Sequence, residues 1–298
     1  MACLARQRHF NIEKKKNESV NNREQRAAIA QDTLAILKRG HYRNLHGDHV
    51  DIGEAIQSAI SQSIHYRGDA LRVLAAQQTP DAADACEIQV NNESTLAAAS
   101  RLVAQGHDVL CLNFASARNP GGGFLGGSEA QEENLAKSSA LYPCIAQMTD
   151  MYEANRKMTS CVYLDDMIYS PQVPVFRDDA YQYLDAAYQV SIVTAPAVNS
   201  GAVARNEPER VSELANIMRQ RIELLLALAK HHGHQTLVLG AWGCGVFGND
   251  PGEMASWFAL HLRDNPVYRN AFRQVCFAVL DRRDNGTYAA FAKQFGSD

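Results

Sequence analysis

Short apolar runs alternate with helical stretches along most of this chain, and this alternation restricts the fold more than any other feature. We interpret as strands the runs Cys86–Val90, Val109–Phe114, Val162–Tyr169, Val190–Ala195, Thr236–Leu239 and Val275–Leu280. Helical periodicity predicts helices at Ser94–Ala104, Ala130–Met148, Glu209–His231, Glu253–Arg263 and Tyr288–Gln294. Strands that alternate with helices pack as an α/β sheet covered on both faces, with parallel or mixed strands.

The N-terminal part of the chain lacks this alternation. Residues 1–23 are polar and rich in lysine, which predicts a solvated tail. The rest, residues 24–298, is long enough for one large domain with a substantial core. We expect a helical accessory region at 24–83, followed by the α/β core at 84–298 with its C-terminal helix.

Two helices and two long loops are also predicted. Arg23–Arg39 has helical periodicity and is followed by Gly40, a residue typical of helix C-caps. A second helix is expected at Gly53–Ser63. The polar segments Ser170–Asp179 and Val198–Pro208 are predicted to be surface loops, a class that often carries function.

The charge of the chain excludes one class of protein. Lys and Arg total 29 against 33 Asp and Glu, which gives a formal net charge of −4. A protein that holds nucleic acid by neutralising many phosphates carries the opposite charge, so direct nucleic-acid binding is not expected. No apolar run approaches the about 18 residues of a membrane-spanning helix, so no membrane association is expected either.

Seven cysteines are scattered along the chain without a CxxC pair. Their odd number and irregular spacing favour reduced thiols over a disulfide framework. The first residues also lack the continuous apolar core of a signal peptide. These features predict a cytoplasmic protein.

The most informative segment begins where the strand Val109–Phe114 ends. Gly121–Gly123 have no Cβ atoms, so a ligand can approach the backbone there and meet its N–H groups. Ser128 and Gln131 match a capping box, which predicts a helix that starts at this point and carries Glu132 and Glu133 in its first turn. Ligands of α/β proteins bind beyond the carboxyl ends of strands. A flexible turn and carboxylates that favour the helix dipole are the structural alternatives.

A second glycine-rich loop, Gly240–Asn249, also follows an apolar strand. Asp250 and Pro251 then begin a helix, with proline at a position that needs no amide hydrogen. A strand, a glycine loop and a helix start form a cradle of backbone amides that suits a diphosphate. Alternatively, the segment is a tight turn with Trp242 and Phe247 in the core.

With these segments assembled, the sequence resembles the bacterial-type poly(ADP-ribose) glycohydrolases of the macrodomain superfamily. Their signature is GGG, a short spacer and QEE, and here seven residues separate Gly123 from Gln131-Glu132-Glu133. The resemblance also includes AIAQDTLAILKRG, SPQVPVFRDD, TAPAVN and GAWGCGVFGN, and it spans nearly the whole chain beyond the tail. It implies a macrodomain-like three-layer α/β/α fold with a mixed sheet and N-terminal helical additions.

The resemblance also implies roles for individual residues. Glu133 corresponds to the catalytic glutamate, and Glu132 to the neighbour that helps to hold the ribose hydroxyls at the scissile bond. Gly121–Gly123 lie along the phosphates and that ribose, and Phe247 packs against the terminal ribose. The implied substrate-binding residues are Gly121, Gly122, Gly123, Gln131, Asn113, Asn119, Gly243, Cys244, Gly245, Val246 and Phe247. Many macrodomains have N-A-A-N before their glycines, whereas Asn113 is followed here by Phe-Ala-Ser; Asn119 is the candidate replacement.

The implied reaction is hydrolysis of the ribose–ribose bond of poly(ADP-ribose), with ADP-ribose as the product. An acetal of this kind needs a proton for its leaving oxygen, which Glu133 can donate before it accepts a proton from the attacking water. The expected partners are poly(ADP-ribose) and ADP-ribosylated proteins. No cofactor and no metal are expected. His231, His232 and His234 are interpreted as a solvated helix end, and Cys244 as a small loop residue rather than a nucleophile.

Three other functions are compatible with parts of this pattern. A macrodomain can bind ADP-ribose without cleaving it, but two carboxylates facing an anionic ligand would then only repel it. A mono-ADP-ribosyl hydrolase would use the same machinery on a different leaving group. A dinucleotide-dependent oxidoreductase is disfavoured, because neither glycine loop matches GxGxxG with an acidic residue about twenty positions later.

Overall fold

The computed structural model describes residues 22–81 and 85–296. The predicted tail, residues 1–23, lies almost entirely outside these ranges. The helices are α1 Arg23–Arg39, α2 Gly53–Gln62, α3 Gly68–Ala76, α4 Thr95–Ala104, α5 Gln131–Ser138, α6 Leu141–Ala146, α7 Thr149–Lys157, α8 Ser200–Asn206, α9 Leu214–His231, α10 Pro251–Ala259 and α11 Thr287–Phe295. The strands are β1 His41–Arg43, β2 His49–Asp51, β3 Ile64–Tyr66, β4 Glu87–Asn91, β5 Val109–Phe114, β6 Met167–Arg177, β7 Tyr183–Ala195, β8 Thr236–Leu239 and β9 Gln274–Ala278.

A seven-stranded sheet forms the centre of the fold. Its strand order is β3-β6-β7-β5-β8-β9-β4, and β1 and β2 form a separate two-stranded sheet. The strands from β7 through β5, β8 and β9 to β4 are parallel, whereas β6 is antiparallel to both β7 and β3. The predicted α/β class with a mixed sheet is therefore confirmed. The carboxyl ends of β5, β8 and β9 lie side by side, where ligands of such sheets bind.

Alternate residues of the central strands enter two different cores. Leu110 and Leu112 of β5 pack with α9, α10 and α11, whereas Val109 and Cys111 pack with α2, α4 and α6. Because side chains alternate between the faces of a strand, a strand buried on both faces has a continuous apolar sequence. This explains the unbroken run VLCLNF and places the sheet between two helical layers.

Helix α1 contacts the first glycine loop, residues 115–130 between β5 and α5, and also contacts α5 itself. Arg23 and Arg26 donate from Nε to the carbonyls of Gly126 and Gly127, both at 2.8 Å. Thr33 donates to the carbonyl of Lys137 in α5 at 2.7 Å. A Cβ on Gly127, where φ is +72°, would lie 2.0 Å from the carbonyl oxygen of Arg23. The N-terminal helix therefore fixes the position of the loop and of α5.

Two segments predicted to be loops are regular structure. Residues 170–177 of the segment Ser170–Asp179 belong to β6. Strand β3 pairs only with Met167–Tyr169, so the later residues of β6 have β7 as their neighbour in the sheet. Prolines are tolerated there because the other side of the strand does not pair with β3. The segment 198–208 contains α8. The predicted helix Ala130–Met148 is divided into α5 and α6, because Ser139 is extended and forms a bridge with Val175.

No helix of the described ranges is long and apolar enough to cross a membrane.

Candidate active site

The first glycine loop wraps around the carboxylate of Glu133. The amide of Gly123 donates to Glu133 Oε1 at 2.9 Å. Gly122 has φ +59°, and a Cβ at this position would lie 2.4 Å from the same oxygen. Only glycine allows both the left-handed backbone and this close approach. Glu133 is half-buried, so its carboxylate is held by the loop and remains accessible.

The predicted capping box is not formed. Helix α5 begins at Gln131 after Ala130, which makes no side-chain capping bond, while Ser128 Oγ faces Gly123. The side chain of Gln131 instead accepts from the amide of Phe114 at 2.8 Å and donates to the carbonyl of Leu112 at 2.7 Å. These backbone groups lie at the end of β5, so Gln131 joins the start of α5 to the strand. These two bonds replace the expected cap.

Glu132, the neighbour of Glu133 in the same helix turn, is buried, and its Oε2 also lies near Gly122, 3.2 Å from where a Cβ would be. Its side chain is 3% exposed, and it accepts from the amide of Ser116 at 2.7 Å and from the amide group of Asn113 at 3.3 Å. Burial raises the pKa of Glu132 to about 8, and the charge of Glu133 adds to this increase, while the bonds from Ser116 and Asn113 oppose it. The two adjacent carboxyl groups therefore lie in different environments.

The raised pKa of Glu132 predicts a pH-dependent stability. The folded pKa of about 8 lies above the ordinary value of 4.5, so the folded state binds the proton more tightly and loses stability as the pH rises through this window. Glu132→Gln removes this titration. Between pH 5 and pH 8 we expect the wild-type Tm to fall by roughly 2–6 °C more than that of the variant. Thermal unfolding at both pH values checks this, with Glu54→Gln, an exposed helical glutamate, as the control. Parallel changes in wild type and Glu132→Gln would contradict the expectation.

The second glycine loop, Gly240–Asn249, follows β8. Asn249 is buried and donates to the carbonyls of Val198 and Gly243, at 2.9 and 3.1 Å. Gly243 has φ +73°, and a Cβ there would lie 2.4 Å from Asn249 Nδ2. Trp242 is fully buried and anchors the loop through a bond from its indole nitrogen to the carbonyl of Ala195.

The tip of this loop is open. A Cβ on Gly245 would meet no atom within 4 Å, and Val246 is 89% exposed. Burial raises the pKa of the Cys244 thiol to about 12, so the thiolate that nucleophilic catalysis requires is disfavoured at neutral pH. Buried side chains thus hold the two ends of the loop, while its tip at Gly245 and Val246 is exposed.

Contacts of Tyr163 with Phe247 and Arg118 connect the two glycine loops. The ring of Phe247 lies 6.0 Å from the ring of Tyr163, and the guanidinium carbon of Arg118 lies 5.7 Å from the centre of the Tyr163 ring. Arg118 belongs to the first loop and Phe247 to the second. Tyr163 has φ +62°, a conformation uncommon for residues other than glycine. Sequence reasoning identified Phe247 but missed Tyr163 and Arg118.

A cleft of about 420 Å³ opens at the carboxyl ends of the parallel strands. Phe114 and Gln131 line one wall, and Cys244 and Gly245 line another. Gly121–Gly123 and Glu133 do not line this cleft. The contact between them is the bond from the Gly123 amide to Glu133. The cleft therefore brings together the second loop and the start of α5.

The rest of the cleft wall was not predicted from the sequence. It includes the start of α4 at Ser94–Leu96 and the segment Ala278–Arg283 at and after the end of β9. Both follow parallel strands at the same edge of the sheet as β5 and β8. The rule that ligands bind beyond such strand ends could have indicated them once the strand order was known.

The two candidate asparagines, Asn113 in β5 and Asn119 in the first loop, have different positions. Asn113 is fully buried, and its amide group donates to Glu132 and to Thr194 Oγ1, so in this structure it orients Glu132. Asn119 is exposed, and its carbonyl accepts from the amide of Gly122 at 3.0 Å. Its backbone therefore helps to close the turn that precedes Gly123.

The interpretation of the three histidines as a solvated helix end is wrong for two of them. His232 stacks on Tyr169 with 3.6 Å between ring centres, and burial lowers its pKa to about 4. His234 is 3% exposed, and its Nε2 lies 2.8 Å from the hydroxyl of Tyr169. The chain turns back into β8 directly after α9, which carries these rings against β6.

Comparisons with known proteins agree with this geometry. The family model for the catalytic domain of microbial-type PARG matches residues 30–178. The crystal structure of poly(ADP-ribose) glycohydrolase (PARG) from Thermomonospora curvata is 44% identical, with 91% of this chain and 100% of that chain covered and a TM-score of 0.88. Its complex with the inhibitor ADP-HPD is 44% identical over the same shares, with a TM-score of 0.85.

A more distant solved structure also matches. Poly(ADP-ribose) glycohydrolase from Deinococcus radiodurans in complex with ADP-ribose is 40% identical, with 80% of this chain and 96% of that chain covered and a TM-score of 0.75. A comparison with curated proteins found no match. High identity over most of the chain confirms the resemblance on which the sequence analysis relied. The chain belongs to the microbial-type poly(ADP-ribose) glycohydrolase family.

Proposed function

We propose that this protein hydrolyses the ribose–ribose bonds of poly(ADP-ribose) and releases ADP-ribose. One observation supports this most directly: a half-buried carboxylate, Glu133, is bonded to the glycine loop at Gly123 in a chain that is 44% identical to a poly(ADP-ribose) glycohydrolase. A module that only binds ADP-ribose has no need for a carboxylate beside an anionic ligand. We also infer that the protein is a macrodomain.

The diphosphate of the terminal ADP-ribose unit lies on backbone amides in this proposal. In the second loop, Gly243–Phe247, the amides of Gly245, Val246 and Phe247 supply these donors without net positive charge, in agreement with the formal charge of −4. Gly121–Gly123 lie along the phosphates and the terminal ribose, but the amides of Gly122 and Gly123 already donate to Asn119 and Glu133. The adenosine occupies the cleft of about 420 Å³. Phe247 packs against the terminal ribose, and Glu132 holds its hydroxyls.

Glu133 acts first as an acid and then as a base. Its proton passes to the 2′-oxygen of the leaving ribose as the bond from this oxygen to the anomeric carbon breaks. Water then attacks the anomeric carbon and returns a proton to Glu133. The products are ADP-ribose and a polymer one unit shorter with a free 2′-hydroxyl.

Glu132 is the weaker candidate for the proton donor. Its pKa is raised to about 8, so it carries a proton at neutral pH, but it is 3% exposed and its oxygens accept from Ser116 and Asn113. A donor must reach the leaving oxygen, and Glu133 is the more accessible of the two.

Product analysis tests the proposed substrate. Purified protein is incubated with poly(ADP-ribose) and, separately, with a protein that carries single ADP-ribose units, and free ADP-ribose is measured by chromatography. We expect release from the polymer to be much faster. Equal or faster release from the singly modified protein would favour a mono-ADP-ribosyl hydrolase. Binding of either substrate without release of ADP-ribose would favour a module that only binds ADP-ribose.

The proposed compartment is the cytoplasm, where ADP-ribosylated proteins are the expected partners. Six cysteines of the described ranges are free, as the reduced cytoplasm favours.

A further inference from the structure

A second cavity, which we call the charged cleft, lies beside the candidate active site. It has a volume of about 630 Å³ and is formed by the start of α3, by α7 and by the segment 163–166 before β6. Neither glycine loop lines it, and it therefore lies outside the site described above.

Tyr163 is a wall shared by the charged cleft and the active site. It lines the cleft, and its ring lies 6.0 Å from that of Phe247, which we place at the terminal ribose. The guanidinium carbon of Arg118 also contacts this ring, 5.7 Å from its centre. The backbone of Tyr163 has φ +62°, an unfavourable conformation that its surroundings must stabilise. The contacts of its ring with Phe247 and Arg118 contribute to this. Tyr163 therefore lies between the charged cleft and the proposed position of the terminal ribose.

Two carboxylates of the charged cleft are neutralised by the protein itself. Asp165 lies 2.6 Å from Arg72 and 2.9 Å from the buried Arg221. Asp166 lies 2.9 Å from His65 and accepts from the amide of Gly68 at 2.9 Å. These groups form a fixed floor and are not available to a ligand.

The remaining charges of the cleft are available. Arg67 and Lys157 are exposed cations, and Asp69, Asp150 and Glu153 are exposed carboxylates. None of these five residues forms an ion pair with another residue in the ranges 22–81 and 85–296. Free cations and free carboxylates side by side suit a ligand that carries both negative charge and hydrogen-bond donors.

We propose that the charged cleft binds the penultimate ADP-ribose unit of the polymer, which is the leaving group of the reaction. The bond that breaks joins the terminal ribose to the 2′-oxygen of the next adenosine, so this unit must lie immediately beyond the terminal ribose. Its diphosphate contacts Arg67 and Lys157, and its adenine amine and ribose hydroxyls donate to Asp150 and Glu153. The inference rests on the proposed function.

The test compares two substrates with the same terminal ADP-ribose. One is poly(ADP-ribose), and the other is ADP-ribose with 4-nitrophenol on its anomeric carbon, whose leaving group is too small to reach the cleft. For the double variant Arg67→Gln, Lys157→Gln we expect kcat/KM for the polymer to fall about tenfold, mainly through KM, because two exposed charge contacts are lost. Activity on the nitrophenyl substrate should not change.

A control variant removes the same charges elsewhere. Lys38 is an exposed lysine in the last turn of α1, as Lys157 is in α7, and Arg269 is an exposed arginine outside both clefts. Lys38→Gln, Arg269→Gln should leave both activities unchanged. An equal fall on polymer in this control would attribute the effect to net charge and overturn the proposal.

Other outcomes separate this proposal from the proposed function. If wild type cleaves both substrates and the Arg67→Gln, Lys157→Gln variant changes neither, the cleft has no role in binding the leaving unit, and the proposal fails alone. If the variant instead slows release from a singly ADP-ribosylated protein and not from polymer, the occupant is the carrier polypeptide, and the proposal is again wrong. If wild type cleaves neither substrate, the proposed function itself fails.

Discussion

Replacing Glu133 by glutamine is expected to lower kcat for poly(ADP-ribose) by about three orders of magnitude, the typical contribution of a positioned acid and base. Glutamine has the shape of glutamate but can neither donate the proton to the leaving oxygen nor accept one from water. Its carbonyl can still accept from the amide of Gly123, which now lies 2.9 Å from the carboxylate. The loop should therefore keep its conformation, and ADP-ribose binding, measured by calorimetry, should change little.

Glu253 provides a matched control for this variant. It is the third residue of α10, after the second glycine loop, as Glu133 is the third residue of α5, after the first. It is exposed and is not part of either cleft lining. Glu253→Gln should hydrolyse polymer at the wild-type rate. A folded Glu133→Gln protein with near wild-type turnover would exclude the proposed mechanism.

Gly122→Ala is expected to lower kcat by about two orders of magnitude without preventing folding. The added methyl group would lie 2.4 Å from Glu133 Oε1, and the backbone has φ +59°. The carboxylate must move away, and displacement of a reacting group by about 1 Å can cost about a hundredfold in rate. Steady-state kinetics on polymer measures the effect.

A second glycine separates this contact from backbone strain. Gly106 has φ +87°, and a Cβ there would meet no atom within 4 Å. Gly106→Ala therefore introduces comparable strain far from Glu133 and should lower the Tm but not kcat. If both variants lost activity equally, strain rather than the contact with Glu133 would explain the loss.

Burial on both faces made the central strands predictable from the sequence. β5 and β8 have the bounds that the runs Val109–Phe114 and Thr236–Leu239 predicted, because a strand covered on both sides is apolar without interruption. β6 was placed too early in the chain, since it contains Pro171 and Pro174. Proline normally argues against a central strand, and its tolerance here depends on the short partner β3, which pattern alone does not reveal.

The candidate site was predictable where its residues are local in sequence. Gly123 and Glu133, which a hydrogen bond joins, are ten residues apart in the sequence, and their contact follows from one loop and one helix start. The role of Gln131 was misjudged, because its bond to Phe114 competes with the expected cap and depends on how α5 lies against β5.

Long-range parts of the site had no local signal. Tyr163 meets Phe247 and Arg118 only in the folded chain, and α1 contacts the first glycine loop from a distance of about one hundred residues in sequence. The charged cleft likewise joins α3, α7 and the segment before β6. Such contacts depend on strand order and helix packing, which local sequence patterns do not reveal.

The central claim, that Glu133 protonates the leaving oxygen, is tested most directly by changing the leaving group in the Glu133→Gln variant. 4-Nitrophenol departs readily as an anion and needs little protonation, whereas the ribose 2′-oxygen needs a full proton. If Glu133 is the acid, the loss of kcat/KM relative to wild type should shrink from about a thousandfold on polymer to about tenfold on the nitrophenyl substrate. An equal loss on both substrates would contradict the claim.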